Sequence, residues 1–305
     1  MDKVNLFIVG APKSGTTALA FYLDKHPDIH FLRGKEPLYF GSDLIHYWKS
    51  HTEKSYQRLI DESHGQAIIG EGSVWYLYSR KASIEIREYN PKSKIIIMLR
   101  NPVDAMYSLH GQFLYTCNES IISFEKALDM ESSRASGKSI PPYAHFPAGL
   151  LYRQVYNYVP QVKRYLDSFG ENNVHIVIYD DFKKHADACY KNILKFINVD
   201  PGYEVSPCIM NKNKKIRSPL LQRLLLKPPV KIRDIGKKAL GETADDILGW
   251  RLYKIRDKLL SLNSKVGERE PIATKTRIKE LVRKTSEIDT LSHLIGRDLS
   301  HWYQI

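Results

Sequence analysis

The stretch FIVGAPKSGTTALAFYL, Phe7 to Leu23, joins an apolar, β-branched run to a run with helical spacing through a glycine loop. Val4 to Val9, bounded by Gly10 and Pro12, predicts a buried strand. The residues after Gly15 repeat apolar positions at helical intervals until the chain nears Pro27, and predict a helix. Strand, glycine loop and helix together open an α/β unit. Gly10 and Gly15 permit a tight turn and a close backbone approach. The amides of Ser14, Gly15, Thr16 and Thr17 then open a helix, where unpaired N–H groups and the helix dipole favour an anion. Lys13 adds a full charge inside the loop, and the two threonine hydroxyls add donors.

The loop comes close to the ATP-binding pattern G-x-x-x-x-G-K-[ST], but Thr16 stands where that pattern has its lysine. There the lysine reaches the terminal phosphates and the next hydroxyl holds magnesium. A second magnesium ligand would be an aspartate after an apolar strand, and VIYDD, Val177 to Asp181, is the nearest such stretch. The residues favour a shorter phosphate or sulfate group, bound without metal.

Outward from the loop the same alternation recurs. Ala67–Gly70, Lys94–Arg100 and Val174–Tyr179 predict further strands, each followed by a helical pattern: 79–90, 102–115 and 180–197. Apolar strands alternating with helices imply an α/β, P-loop-like three-layer sandwich with a central, mainly parallel sheet. Ligands of such sheets bind at the carboxyl ends of the strands. A helical insert is expected over about 119–170, where Pro160 predicts a kink or two shorter helices. The expected organisation is a single domain over 1–305, with the α/β core in 1–200 and a mainly helical, basic part in 201–305. Ala244, Leu248, Leu252, Ile255, Leu259 and Leu262 make one apolar stripe there.

The 305 residues carry a net charge of +12, which favours anionic partners. Between Lys212 and Lys238 the lysines and arginines face a single acid, Asp234. That segment fits a solvated basic face, a lid over an anionic ligand, or a surface touching acidic lipid. Cys117, Cys189 and Cys208 are odd in number and form no C-x-x-C pair, which argues against a disulfide framework or zinc site. They are expected to be small buried hydrophobes in a reducing compartment. No apolar run approaches the ~20 residues of a membrane span, and no signal-peptide pattern is visible. A cytoplasmic location is expected. Nothing suggests an RNA-binding aromatic motif or a helix-turn-helix, so nucleic acid is not an expected partner.

A second informative stretch is IIIMLRNPVDAMYSLH. Arg100 stands just past a strand's carboxyl end, and Ser108 follows about two helical turns later. An arginine fork and a hydroxyl can grip one phosphate. At this point the chain resembles the sulfotransferases that use 3′-phosphoadenosine 5′-phosphosulfate (PAPS). APKSGTTAL is similar to their 5′-phosphosulfate loop, and LRNPVDAMYS to their 3′-phosphate motif. KEPLYF (Lys35 to Phe40), GEGS (Gly70 to Ser73) and LIGRDLSHW (Leu294 to Trp302) extend the likeness along most of the chain. The pattern is nearer to the bacterial and heparan-type enzymes than to the cytosolic phenol and steroid group.

The resemblance implies PAPS as co-substrate, 3′-phosphoadenosine 5′-phosphate (PAP) as product, and no metal. It implies nucleotide contacts from Lys13, Ser14, Gly15, Thr16, Thr17, Arg100 and Ser108, with Arg217 the pick within the basic segment. It implies a general base at Glu36, with Glu71 in reserve, while Lys13 meets charge on the leaving phosphate. Two departures stand out. Gly72 occupies the place of a lysine in heparan-type enzymes, and the catalytic histidine of the cytosolic group has no counterpart. His110 reads as a packed helix residue, and Tyr152 and Arg153 either as ordinary helix residues or as lining for an acceptor. The acceptor implied is a glycan, a lipid-linked glycan or a small natural product. Two readings compete: a P-loop kinase with a displaced lysine, and a non-catalytic basic module for nucleic acid or membrane.

Overall fold

A computed structural model describes residues 2–32, 36–44, 51–205, 214–227, 255–266 and 288–303. Five strands form a parallel sheet in the order β2-β3-β1-β4-β5. They are β1 (Leu6–Gly10), β2 (Ile29–Phe31), β3 (Ile68–Gly72), β4 (Lys94–Leu99) and β5 (Val174–Ile178). β1 and β4, near the middle, are almost wholly buried. Their unbroken Ile/Val/Leu/Phe runs follow from cover on both faces.

On one face, α1 (Thr16–Leu23), α9 (Tyr179–Lys184) and α10 (Ala186–Phe196) bury Leu19, Leu23, Phe182, Ile193 and Leu194 against Leu6, Ile8, Ile96 and Met98. On the other, α3 (Ala82–Tyr89) and α8 (Tyr158–Phe169) pack together, and α8 lies on β4 and β5. The three layers are those the alternation predicts. Four of the strands fall on the expected runs, and α4 (Pro102–Tyr115) spans the residues foreseen for it.

Local differences have simple causes. β2 has three residues, too few for a period to show. α2 (Glu53–Ile60) was not foreseen, although Thr52 caps it by accepting from the Ser55 amide (3.3 Å). The helix expected over 180–197 breaks at His185 into α9 and α10. In the insert, the break falls between α7 (Tyr152–Val155) and α8 rather than at Pro160. Pro160 sits in the first turn of α8, where its missing N–H has no intrahelical role.

The chain divides into two compact units. The first comprises Met1–Met106, Tyr152–Met210 and Ile272–Ile305, and holds the whole sheet. The second comprises Tyr107–Leu151 and Asn211–Pro271. Within the second, α5 (Phe124–Asp129) and α6 (Glu131–Ala135) stand beside a buried ion pair, Glu119 with Arg134 (2.8 Å). Its other described part is an antiparallel pair, β6 (Lys214–Ile216) and β7 (Ser264–Val266), leading into α11 (Pro219–Leu226) and following α12 (255–262). α13 (Ile288–Ile295) returns to the first unit and packs on α8. Cys208, Lys35, most of 212–238 beyond Lys227, and Ala244, Leu248 and Leu252 lie outside the described residues. Among the described residues no helix is long and apolar enough to cross a membrane.

Candidate nucleotide and sulfuryl-transfer site

The glycine loop leaves β1 at the carboxyl edge of the sheet and enters α1. A Cβ on Gly10 would stand 2.6 Å from Leu77 Cβ and 2.9 Å from the Val74 carbonyl, so this turn admits only glycine. Gly15 caps α1 with φ +92°, a left-handed conformation that costs other residues energy. Lys13, half-buried, is left-handed as well (φ 63°). The Ala11 amide donates to the Met98 carbonyl (2.7 Å) and ties the loop to β4.

The Ser14 amide donates to the Ala11 carbonyl (3.3 Å), but among the described residues no backbone carbonyl takes the next three amides, those of Gly15, Thr16 and Thr17. The Ser14 side chain is fully buried, and its Oγ has no partner among the described residues. It lies near the Tyr158 hydroxyl, whose proton goes to the Arg100 carbonyl (3.0 Å). Buried polar groups are usually satisfied, so unengaged donors clustered at a helix start mark an anion site.

Arg100 is brought to this loop. Its guanidinium donates to the Lys13 carbonyl (3.1 Å) and lies over the Tyr179 ring, 4.8 Å from the centroid. The same ring stands where a Gly15 Cβ would meet it at 3.0 Å. Tyr156 donates to the Pro12 carbonyl (3.0 Å). Three tyrosines that sequence reasoning passed over therefore fix the loop and the end of β4. Tyr179 directly follows β5 at the carboxyl edge, the rule that singled out Arg100, so it was findable.

Asp180 and Asp181, the nearest magnesium-ligand stretch in the sequence, are engaged by the C-terminal segment. Trp302 Nε1 donates to Asp180 (3.0 Å), and Arg297 pairs with Asp181 (2.8 Å). Asn101 Nδ2 donates to the Trp302 carbonyl (3.0 Å), while its Oδ1 accepts the Val103 amide and caps α4. LIGRDLSHW thus packs beside the strand ends that carry Arg100 and Tyr179.

A hydrogen-bond chain runs from Glu71 to Leu38 and Phe40, in the segment that follows Glu36. Glu71 is 0% exposed in β3. It accepts from the Tyr56 hydroxyl and from Ser73 Oγ (2.7 Å), with Tyr76 adjacent. Burial pushes its pKa up, and the surrounding hydroxyls oppose that rise. Ser73 Oγ in turn accepts the Leu38 amide (3.2 Å), and the Tyr76 hydroxyl accepts the Phe40 amide (3.1 Å). The segment carrying Glu36 is therefore laid across the end of β3. Glu36 is half-exposed with a left-handed backbone (φ 64°).

Ser108 is buried on α4, and Arg217 is exposed after β6; both belong to the second unit. His110 is buried, with Nε2 donating to the Ile121 carbonyl (2.8 Å) and its ring against Phe124. Tyr152 is fully buried and presents no surface to an acceptor. Cys117 and Cys189 are free, half-buried thiols whose pKa burial raises.

Residues 3–218 match the family described as the sulfotransferase domain. Human heparan sulfate glucosamine 3-O-sulfotransferase 6 is 33% identical over 110 residues, covering 35% of this chain and 30% of that protein. Mouse carbohydrate sulfotransferase 15 is 24% identical over 261 residues, covering 68% of this chain and 46% of that protein. The chain thus spans less than half the length of these curated relatives. A solved sulfotransferase from Alicyclobacillus acidocaldarius superposes over 100% of both chains with a TM-score of 0.71 at 24% identity, which shows a shared fold.

Proposed function

Because the chain belongs to the sulfotransferase family, we propose that it moves the sulfuryl group of PAPS to a hydroxyl or amine of a carbohydrate, a lipid-linked glycan or a small natural product. The observation that carries this reading is the juxtaposition of Arg100 with the Lys13 backbone, beside the amides of Gly15 to Thr17, which no backbone carbonyl among the described residues takes, and Ser14 Oγ, which has no partner there. That donor set fits an adenosine bisphosphate: amides and hydroxyls for one anionic end, a guanidinium with N–H groups to spare for another. Bound PAPS supplies a sulfuryl group already activated by its phosphate leaving group.

The chain's own residues then do three things. The Lys13 ammonium and the amides of Gly15 to Thr17 meet negative charge as it grows on the leaving phosphate. Arg100, held flat by Tyr179, orients the ribose phosphate. Glu36 takes the acceptor's proton, since it is half-exposed and the residues just after it, Leu38 and Phe40, are held by Ser73 and Tyr76. Glu71, sealed and fully engaged, acts here as a positioning residue for that segment. Ser108 and Arg217 keep the phosphate-binding roles that the resemblance gives them. A single domain over 1–305, a metal-free reaction and a cytoplasmic location belong to the same proposal.

The test is thermal stabilisation by PAP, ADP and Mg-ATP, because a ligand that binds only the folded state raises its melting temperature. PAP is expected to give the largest shift, and Arg100→Ala to lose the preference for PAP over ADP. A larger shift with Mg-ATP would turn the reading to a kinase. No shift with PAP would leave a non-catalytic binding module.

A further inference from the structure

Two helices of the second unit carry their apolar residues outward. On α11, Leu220 is 81% exposed and Leu224 48%, with Leu221 beside them, while Gln222 is buried. On α12, Ile255 is 56% exposed and Leu262 64%, with Leu259 between them, while Leu260 is buried. At about 100° per residue, Leu220 and Leu224 fall on one stripe of α11, and Ile255, Leu259 and Leu262 on one stripe of α12. Basic residues flank both stripes: Arg223 and Lys227 on the first, Lys258 on the second.

The helices are anchored from beneath by amide side chains. Asn263 accepts the Ser218 amide (2.9 Å) and donates to the Ser218 carbonyl and to Gln222 Oε1 (2.9 Å each). Gln222 donates to the Tyr115 carbonyl (2.8 Å). The fold thus spends its buried polar contacts on the inner faces and leaves leucine on the outer ones. So many large apolar side chains on one small element mark a contact surface.

Among the described residues none of the cations beside the leucines, Arg223, Lys227 and Lys258, has an ion pair with a carboxylate. Arg223 meets the Tyr143 hydroxyl (3.2 Å) and ring, and Lys227 lies against His145. Burial and Lys227 together hold the His145 imidazole towards its neutral form. A second copy of this face would set Arg223, Lys227 and Lys258 against themselves, a like-charge contact that opposes pairing.

We propose that the outward face of α11 and α12 docks on an anionic membrane surface, the leucine and isoleucine stripes entering the interface and Arg223, Lys227 and Lys258 meeting lipid phosphate and carboxylate groups. Apolar insertion and basic attraction are the two terms by which interfacial helices hold a bilayer.

The test is co-sedimentation of the full chain with vesicles of phosphatidylcholine, with and without phosphatidylserine, in low and high salt. Wild type is expected to sediment with the serine-lipid vesicles and far more weakly with phosphatidylcholine alone, where only the apolar term acts. Arg223→Glu with Lys227→Glu is expected to weaken binding at least about tenfold. Leu220→Ser with Leu224→Ser and Leu262→Ser is expected to keep low-salt capture and release in high salt, where only the apolar term survives screening. The surface assignment is overturned by equal binding to both vesicles, by no binding, or by a leucine variant that holds in high salt. A concentration-dependent dimer by light scattering, lost in the leucine variant, overturns it in favour of a second copy. Melting temperatures of the variants confirm that each is folded.

Discussion

The pocket around Glu71 and the segment around Glu36 each present a carboxylate, and they present it in opposite ways. Glu71 sits in a strand, sealed from water, with Tyr56, Ser73 and Tyr76 around it. Glu36 has a left-handed backbone and is half-exposed, two residues before Leu38, whose amide the same Ser73 accepts, and four before Phe40, whose amide Tyr76 accepts. A carboxylate whose oxygens are already engaged is poorly placed to take an acceptor's proton, but it can fix the hydroxyls that fix its neighbour. The lesson is one of division of labour. The residue type alone does not tell a base from a scaffold; its burial does.

The sharpest way to break this comparison is to neutralise the exposed member. Glu36→Gln is expected to lower turnover by roughly 10²-fold or more while leaving stabilisation by PAP intact. Steady-state rates beside thermal shifts would show it, and unchanged turnover would hand the base role to Glu71. Next in size is the buried member. Glu71 has a folded-state pKa raised by burial, so between its ordinary value and the raised one the folded chain holds more protons than the unfolded chain. Stability therefore falls as pH rises through that window, by up to about 1.4 kcal/mol per pH unit. Glu71→Gln should flatten the fall while reducing turnover less than Glu36→Gln does; melting curves across acid to neutral pH would read it. The smallest effect belongs to the link between the two. Ser73→Ala leaves the Leu38 amide without its acceptor and should cost about 1 kcal/mol, a melting shift of a few degrees. If it lowers turnover with no change in PAP affinity, the chain from Glu71 to the Glu36 segment positions the base.

Much of this was legible in the residues. The loop from Gly10 to Thr17 is local, and its glycines, lysine and hydroxyls announce themselves by type and spacing. β4 and Arg100 were equally plain, because an unbroken apolar run followed by an arginine needs no partner to be read. The cage around Glu71 was not, because Tyr56 comes from α2, and its pairing with β3 is long-range. Nor could periodicity show that Trp302 and Arg297 would be fastened to Asp180 and Asp181. In α12 the stripe of Ile255, Leu259 and Leu262 was visible, but spacing alone does not say whether an apolar stripe faces inward or out.

Asn101 donates to the Trp302 carbonyl, 201 positions later, and Trp302 itself donates to Asp180. The edge of the sheet where Arg100 and Tyr179 stand is therefore incomplete while the chain is being made. At about 5–20 residues per second, roughly 10–40 seconds separate the emergence of Asn101 from that of its last partner. During that interval the ribosome holds a strand edge and a donor-rich loop not yet braced by α13 and Trp302. The bracing of this edge is complete only once residue 302 has left the ribosome, so the loop and the end of β4 owe their final setting to a contact made far along the chain.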